Sequence, residues 1–376
     1  MMLTAGMMLA ASIGQGAMAD SAAANDVDWV ATWGDNSEGQ LGDATTEQRH
    51  TAVRALSLSD AEQLAGGTSF SLALLPDGSV KAWGLNSDGQ LGDGSGLPHR
   101  TPGTVAGLTG VVAIAAGDSH SLALLSDGTV KAWGDNDSGQ LGDGTTTDRQ
   151  LPVTITGLAG VVAVGAGLNH SLALLSDGTV KAWGDNASGQ LGDGTRIERH
   201  TPVSTISLSG VRKIAVGGDH NLALMSDRTV KAWGRNGFGE LGDGTAIPSR
   251  DTPVAVSGLT GVAGISAGEF HSLARLRNGT VKAWGYNTFA QLGDGTLTER
   301  RTPVNVVGLS DVERIVAGGW HNLALLEDGT LKAWGRNDLG AIGDGTTTRR
   351  TIAVTVVPGL TDIDTIAAGQ FHSLAG

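Results

Sequence analysis

The stretch Val130-Lys131-Ala132-Trp133-Gly134-Asp135-Asn136-Asp137-Ser138-Gly139-Gln140-Leu141-Gly142-Asp143-Gly144-Thr145 recurs, with variations, seven times along the chain. Its tryptophan falls at Trp33, Trp83, Trp133, Trp183, Trp233, Trp284 and Trp334, a period of 50 residues with a single 51. A fixed period of this length restricts a chain to a stacked or radial array of small units. At 376 residues the length alone suggests two or three ordinary domains; the repeat overrides that reading.

The copy from Gly110 to Ala159 shows what one unit contains. Val111-Val112-Ala113-Ile114-Ala115 is a β-branched run of strand length ended by Gly117, and His120 to Leu125 is a second. Asp127-Gly128 then signals a hairpin in which both turn residues take positive φ. Val130 to Trp133 is the third strand and Pro152 to Ile155 the fourth. Pro152 has no amide to donate, which places the fourth strand at an outer edge.

Four antiparallel strands per unit, seven times over, specify an all-β fold: a seven-bladed β-propeller of four-stranded antiparallel blades. The last copy stops after two strands, at His372-Ser373-Leu374-Ala375-Gly376, and the first begins with a third strand, Trp29 to Trp33. Pairing of these N- and C-terminal half-blades closes the ring and removes the open edges. Residues 27–376 are therefore one domain, with blade one at about 60–109 and the next at 110–159, 160–209, 210–260, 261–310 and 311–361. Blade seven is 362–376 plus 27–59.

Glycine, at 59 residues, is about twice its usual share of ~7% and sits at fixed repeat positions as turn residues. There is no run of ~18 apolar residues for a membrane span, and a net charge of −13 argues against nucleic acid, whose phosphates call for a basic face. Residues 1–19 carry no charge, hold the apolar run Met7 to Ala11 and end Ala17-Met18-Ala19 before Asp20. That pattern predicts a signal peptide over 1–19, a linker over 20–26, and a secreted or periplasmic protein.

Several constant slots invite chemistry, and repetition argues against it. The Asn of Trp-Gly-x-Asn (Asn36, Asn86, Asn136, Asn186, Asn236, Asn287, Asn337) is expected to satisfy backbone groups of its loop. The tryptophans are expected to pack between blades, each with an acceptor for its N–H. His120, His170, His220, His271, His321 and His372 share one slot with Phe70, so no proton chemistry is required there, and one histidine per blade cannot converge on a metal ion. Asp135 to Gly139 lacks the spacing and bidentate Glu of a calcium loop. Asp43, Asp93, Asp143, Asp193, Asp243, Asp294 and Asp344 are each followed six or seven residues later by an arginine, a pair that should staple the outer loop. Asp227-Arg228 breaks the hairpin rule and predicts a changed or strained turn. No catalytic residue, cofactor or metal site is expected.

Near-identical copies act as their own control: positions that differ between them are free of the fold's demands. Two windows vary most, the pair before the histidine slot and the loop after Trp-Gly. Up-and-down strands put both at one end of every blade. These windows hold Phe238, Phe270, Tyr286, Phe289, Trp320 and Phe371, with Leu339, all on blades four to seven. Blades two and three offer Asp118, Asp135, Asp137 and Asp185 instead. Exposed aromatics on loops of a rigid scaffold predict a partner-binding face made by those seven residues.

The phrases Ala-Gly-x-x-His-Ser-Leu-Ala-Leu, Asp-Gly-Thr-Val-Lys-Ala-Trp-Gly and Asn-x-x-Gly-Gln-Leu-Gly-Asp-Gly-Thr resemble the regulator of chromosome condensation repeat, over about residues 27–376. The resemblance, here to a bacterial, secreted form, implies a seven-bladed propeller. The founding member is an exchange factor for the GTPase Ran that works partly through a β-wedge insertion; no copy here is longer than its neighbours by more than one residue. A plant UV-B photoreceptor is similar but depends on clustered extra tryptophans, of which only Trp320 stands near the matching site. The secreted propeller-type beta-lactamase inhibitor of actinobacteria also looks alike, presenting aromatics before the second strand as Phe270, Trp320 and Phe371 would be here, though its repeats are shorter and lack Leu-Gly-Asp-Gly-Thr.

The expectation is a non-enzymatic, monomeric, secreted propeller that binds another protein by one loop face, with beta-lactamase as the sharpest candidate partner. The alternative is an exchange factor or scaffold for a small GTPase. A glycan-processing enzyme would need two carboxylates ~5–10 Å apart around a pocket, and the slot aspartates are too evenly spread.

Overall fold

The computed structural model describes residues 29–356, 360 and 362–376; the expected signal peptide and linker lie outside them. Seven four-stranded antiparallel sheets form a ring. Six are built from consecutive strands, as in blade two, where Val111–Ala116, His120–Leu125, Val130–Gly134 and Arg149–Thr154 run from the central channel outward. The seventh joins Trp29–Gly34 and Arg49–Ser59 from one chain end to Ile366–Ala368 and His372–Ala375 from the other. Thr32 pairs with Leu374 and Gly34 with His372, which closes the ring as the half-copies require. The proline-bearing fourth strands are the outer edges.

A collar of glycines makes the closure tight. The amides of Thr68, Asp118, Leu168, Gly218, Glu269, Gly319 and Gln370 each donate to a carbonyl of the next blade, over 3.0–3.3 Å, and Gln370 N–H reaches Gly67 O at 3.1 Å to complete the circle. Backbones meet this closely only without a side chain: a Cβ on Gly117 would stand 2.5 Å from Gly167 O and overlap the His120 ring.

Behind the collar, each blade is stapled to the next through one carbonyl. The Gln40 oxygen accepts both Trp83 Nε1–H (2.8 Å) and Ser71 Oγ–H (2.9 Å) of the following blade. Equivalent pairs recur at Gln90, Gln140, Gln190, Glu240, Gln291 and Ala341. The Ser or Asn also accepts from a histidine of the preceding blade, over 2.6–2.9 Å, as His120 to Ser171 and His170 to Asn221. Because the hydroxyl proton is already committed to the carbonyl, the histidine must carry its hydrogen on Nε2. Nδ1 is then bare, buried and without a partner in His120, His170, His220, His271 and His372. Burial drives His120, His220 and His321 down to about 3, and His271 and His372 to about 4. These histidines are packed, neutral and structural. All seven slot tryptophans are fully buried between blades.

The loop slots behave as expected, with two corrections. Asn136 Nδ2 donates to Asp143 and to Thr145 O (3.3 and 3.1 Å), and its Oδ1 accepts Leu141 N–H (2.9 Å). Arginines clasp Asp43, Asp143, Asp193, Asp243, Asp294 and Asp344. In blade one, however, His99 stands six residues on and takes Asp93 at 3.0 Å in place of Arg100. The second correction concerns the hairpin. Gly128 alone has positive φ (+84°), Gly128 N–H bonds Leu125 O, and Leu125 N–H bonds Thr129 O (2.9 and 2.8 Å). This is a three-residue loop ending in a left-handed glycine, not a two-residue turn with two positive φ angles. Asp127 instead caps it by accepting Thr129 N–H (2.8 Å). Arg228 occupies the glycine position with φ +67° and the same backbone bonds, so the turn keeps its type and carries the strain.

Two predictions follow from these bonds. Replacing Arg228 with Gly relieves the left-handed strain and should raise stability by on the order of 0.5 kcal/mol in urea unfolding, after the entropy cost of glycine; a loss would contradict the assignment. Histidines whose folded pKa lies below the unfolded ~6.5 stabilise fully above pH 6.5 and progressively less as pH falls toward 4. Each should cost about 2 kcal/mol between pH 6.5 and 5. His271→Phe, which copies Phe70, should flatten that pH dependence by one such share; equal slopes for the two proteins would refute it.

Candidate protein-binding face

Two short loops per blade build the face, and backbone bonds stitch them together. The residue after Trp-Gly donates to the residue before the histidine slot: Arg235 to Asp219 (2.9 Å), Tyr286 to Phe270 (2.9 Å), Arg336 to Trp320 (3.0 Å) and Asp35 to Phe371 (3.0 Å). The two variable windows therefore lie side by side at one end of each blade. The collar bonds then set neighbouring blades at a fixed spacing.

The structure brings five of the expected aromatics into one connected network. Phe238 lies 4.6 Å from Tyr286 and 5.8 Å from Phe270; Phe270 is 5.2 Å from Trp320; Trp320 is 5.3 Å from Phe289, which is 6.3 Å from Tyr286. Edge-to-face geometry dominates, the arrangement favoured by ring quadrupoles. Phe371 joins through Arg336, whose guanidinium sits 4.9 Å from the rings of both Phe371 and Phe289. Leu339 is on the same blade-six loop. All seven residues are half-buried, neither sunk in the core nor freely projecting.

Arg235 and Arg336 are the residues that sequence reasoning missed. Arg235 stacks on Phe270 at 4.6 Å and Phe238 at 5.4 Å. Beneath it Glu240 is fully buried; Oε2 accepts Phe238 N–H (2.8 Å) and Oε1 lies 3.5 Å from Arg235 Nε. Burial pushes the Glu240 carboxyl up, opposed by backbone hydrogen bonds and by Arg235. Arg336 is fixed by a two-pronged pair with Asp338 (2.5 and 2.7 Å), which raises its own basicity and lowers that of the aspartate. The signal was present in the chain. Where the residue after Trp-Gly is Asp, the glutamine five positions on donates to it, as Gln40 to Asp35, Gln140 to Asp135 and Gln190 to Asp185. Where it is Arg235, that glutamine becomes Glu240.

The remaining arc of the face is acidic. Desolvation raises the Asp135 carboxyl, helped by Asp137, Asp148 and Asp88. Desolvation likewise raises Asp219 and Glu269, where neighbouring carboxylates (Asp185 for Asp219, Asp118 and Asp219 for Glu269) add to it. Asp135, Asp137 and Asp148 bring carboxylate oxygens within 4.8 Å of one another, the one such grouping among the described residues. Amides of Asp137 and Asn136 already bond Asp135 and Asp148. At the centre, the collar encloses about 140 Å³, below the ~300 Å³ at which small-molecule pockets begin.

A family model described as the RCC1-like domain matches residues 109–376. The chain belongs to the RCC1-like domain family. Models of the regulator of chromosome condensation (RCC1) repeat also match residues 62–90 and 77–124. No curated protein matches the chain. Among solved structures, human WBSCR16 is similar at 26% identity, over 93% of this chain and 98% of that one, with a TM-score of 0.83. Prp20p from Saccharomyces cerevisiae, described with its binding to Gsp1p and histones, has 24% identity over 93% and 91% and the same TM-score. Yeast RCC1 (Prp20) bound by Kap60 is 22% identical over 98% and 96%, again at 0.83. These RCC1-like propellers share the fold described above.

The Arg235–Glu240 pair yields a test of how the face is held. Glu240→Gln leaves an amide against the guanidinium and should cost about 1–3 kcal/mol. The double change Arg235→Asp with Glu240→Gln recreates the pair used by Asp135 and Gln140, and should recover most of it in urea unfolding. Strict additivity of the two changes would show that the residues do not act together.

Proposed function

We propose that this RCC1-like propeller is a non-enzymatic, exported protein-binding module that engages its partner through Phe238, Phe270, Tyr286, Phe289, Trp320, Leu339 and Phe371. The observation that carries the reading is the connected ring network spanning blades four to six, tied on to Phe371 of blade seven and flanked by Arg235 and Arg336. Aromatic and arginine side chains fixed in position supply binding energy at low entropy cost. The acidic arc beside them favours a partner with a basic patch next to an apolar anchor. Export rests on residues 1–19 of the sequence.

A second reading, an exchange factor or scaffold for a small GTPase, draws on the fold shared with Prp20p, whose description names Gsp1p and histones. Beta-lactamase inhibition draws on the aromatic loops alone. Three measurements separate these readings: inhibition of a panel of class A beta-lactamases, nucleotide release from small GTPases, and capture of partners on the immobilised chain. In whichever assay responds, Trp320→Ala and Phe289→Ala should each weaken the effect about 30-fold, the scale of a hot-spot truncation. An undiminished response from both variants would remove this face from the function.

A further inference from the structure

In blades one to four and six the first strand carries near its start, at the end away from the loop face, a slot opposite a leucine of the second strand. Blade one pairs Gln63 with Leu74, blade two Ala113 with Leu124, and blade three Ala163 with Leu174. The next three blades change this slot together: Lys213 faces Leu224, Gly264 faces Arg275, and Arg314 faces Leu325. The slot's reach is visible at Gln63, whose amide bonds both N–H and C=O of Ile114 on the neighbouring blade at 3.0 Å. Gly264 and Arg275 face each other closely: a Cβ at 264 would lie in ordinary contact with Arg275, 3.7 Å from Nε. Arg275 Nη1 crosses to Val312 O of blade six (3.3 Å), two residues before Arg314.

This gathers cations with little to oppose them. Among the described residues neither Lys213 nor Arg275 is in an ion pair, and Arg314 meets only Glu313, at 3.6 Å. Desolvation, then Arg275, Arg212 and Arg314, depress the lysine's basicity. In a chain of net charge −13, neighbouring cations from three blades, with Arg275 half-buried where blades one to four and six place leucine and Lys213 and Arg314 exposed, are retained against their mutual repulsion. A carboxylate would occupy a single guanidinium fork; three neighbouring cations suit a group with more oxygens and more charge.

We propose that Lys213, Arg275 and Arg314 form an oxyanion site, for a phosphate or sulfate group, at the channel mouth opposite the loop face. The loop-face reading plays no part in it. The group can arrive as a free ion or as an ester on a larger molecule. The test is titration of the full chain with inorganic phosphate and with phenyl phosphate, followed by phosphorus NMR at constant ionic strength. Lys213→Ala and Arg275→Leu install residues that Ala113 and Leu124 show the fold accepts. Each should bind about tenfold more weakly, the scale of one lost charge-assisted hydrogen bond, and Arg275→Leu should unfold no earlier than wild type. Phenyl phosphate binding at least as well as the free ion identifies an ester ligand; the reverse identifies the ion. Equal binding by wild type and both variants, no binding of either probe, or an earlier-unfolding Arg275→Leu that binds normally would overturn the proposal.

Discussion

Everything in this molecule depends on how closely seven first strands approach around the channel. The glycines at positions 117, 167, 217, 268, 318 and 369 let backbone carbonyls sit where a Cβ would otherwise be, and Gly67 makes the same room for the Phe70 ring; the resulting circle of seven amide bonds includes one from the last blade back to the first. Closing the ring leaves only the short outer fourth strands as edges. It also makes each blade's position a function of all the others, so loops on one end are held at fixed mutual distances, their own first residues donating the collar bonds.

The division of labour follows. The shared carbonyl at the glutamine slot collects an indole N–H and a hydroxyl or amide from the next blade, and the histidine behind it is held neutral by burial. These groups are spent on the ring. What differs between copies clusters at the two channel mouths. At one, rings pack edge-to-face across blades four to six beside two arginines while blades two and three carry carboxylates. At the other, the same three blades carry cations. The pseudo-sevenfold scaffold is thus polar twice over, along its axis and around its circumference.

The fold was legible because a 50-residue period, Pro152 at an edge and two half-copies leave few alternatives. The structural roles of Asn136 and His120 were legible because repetition rules out convergence on one point. Other features needed coordinates. The Asp127-Gly128 pair suits either of two hairpin loops, and only the backbone bonds of Leu125 decide between them. That Phe270, Tyr286 and Trp320 touch depends on the spacing of neighbouring blades, which no single copy encodes. Arg235 and Arg336 read as ordinary variable loop residues until seen stacked on rings. The exchange of Gln for Glu240 opposite Arg235 was a readable trace of that contact.

Native-state hydrogen exchange tests the closed ring most directly. Amides of Trp29–Gly34 and His372–Ala375, at opposite ends of the chain, should exchange as slowly as those of His170–Leu175 in the middle, all governed by one global unfolding event. Terminal strands that exchange orders of magnitude faster than the central ones would mean that the seventh blade opens independently, and the account of a ring locked by its glycine collar would fail.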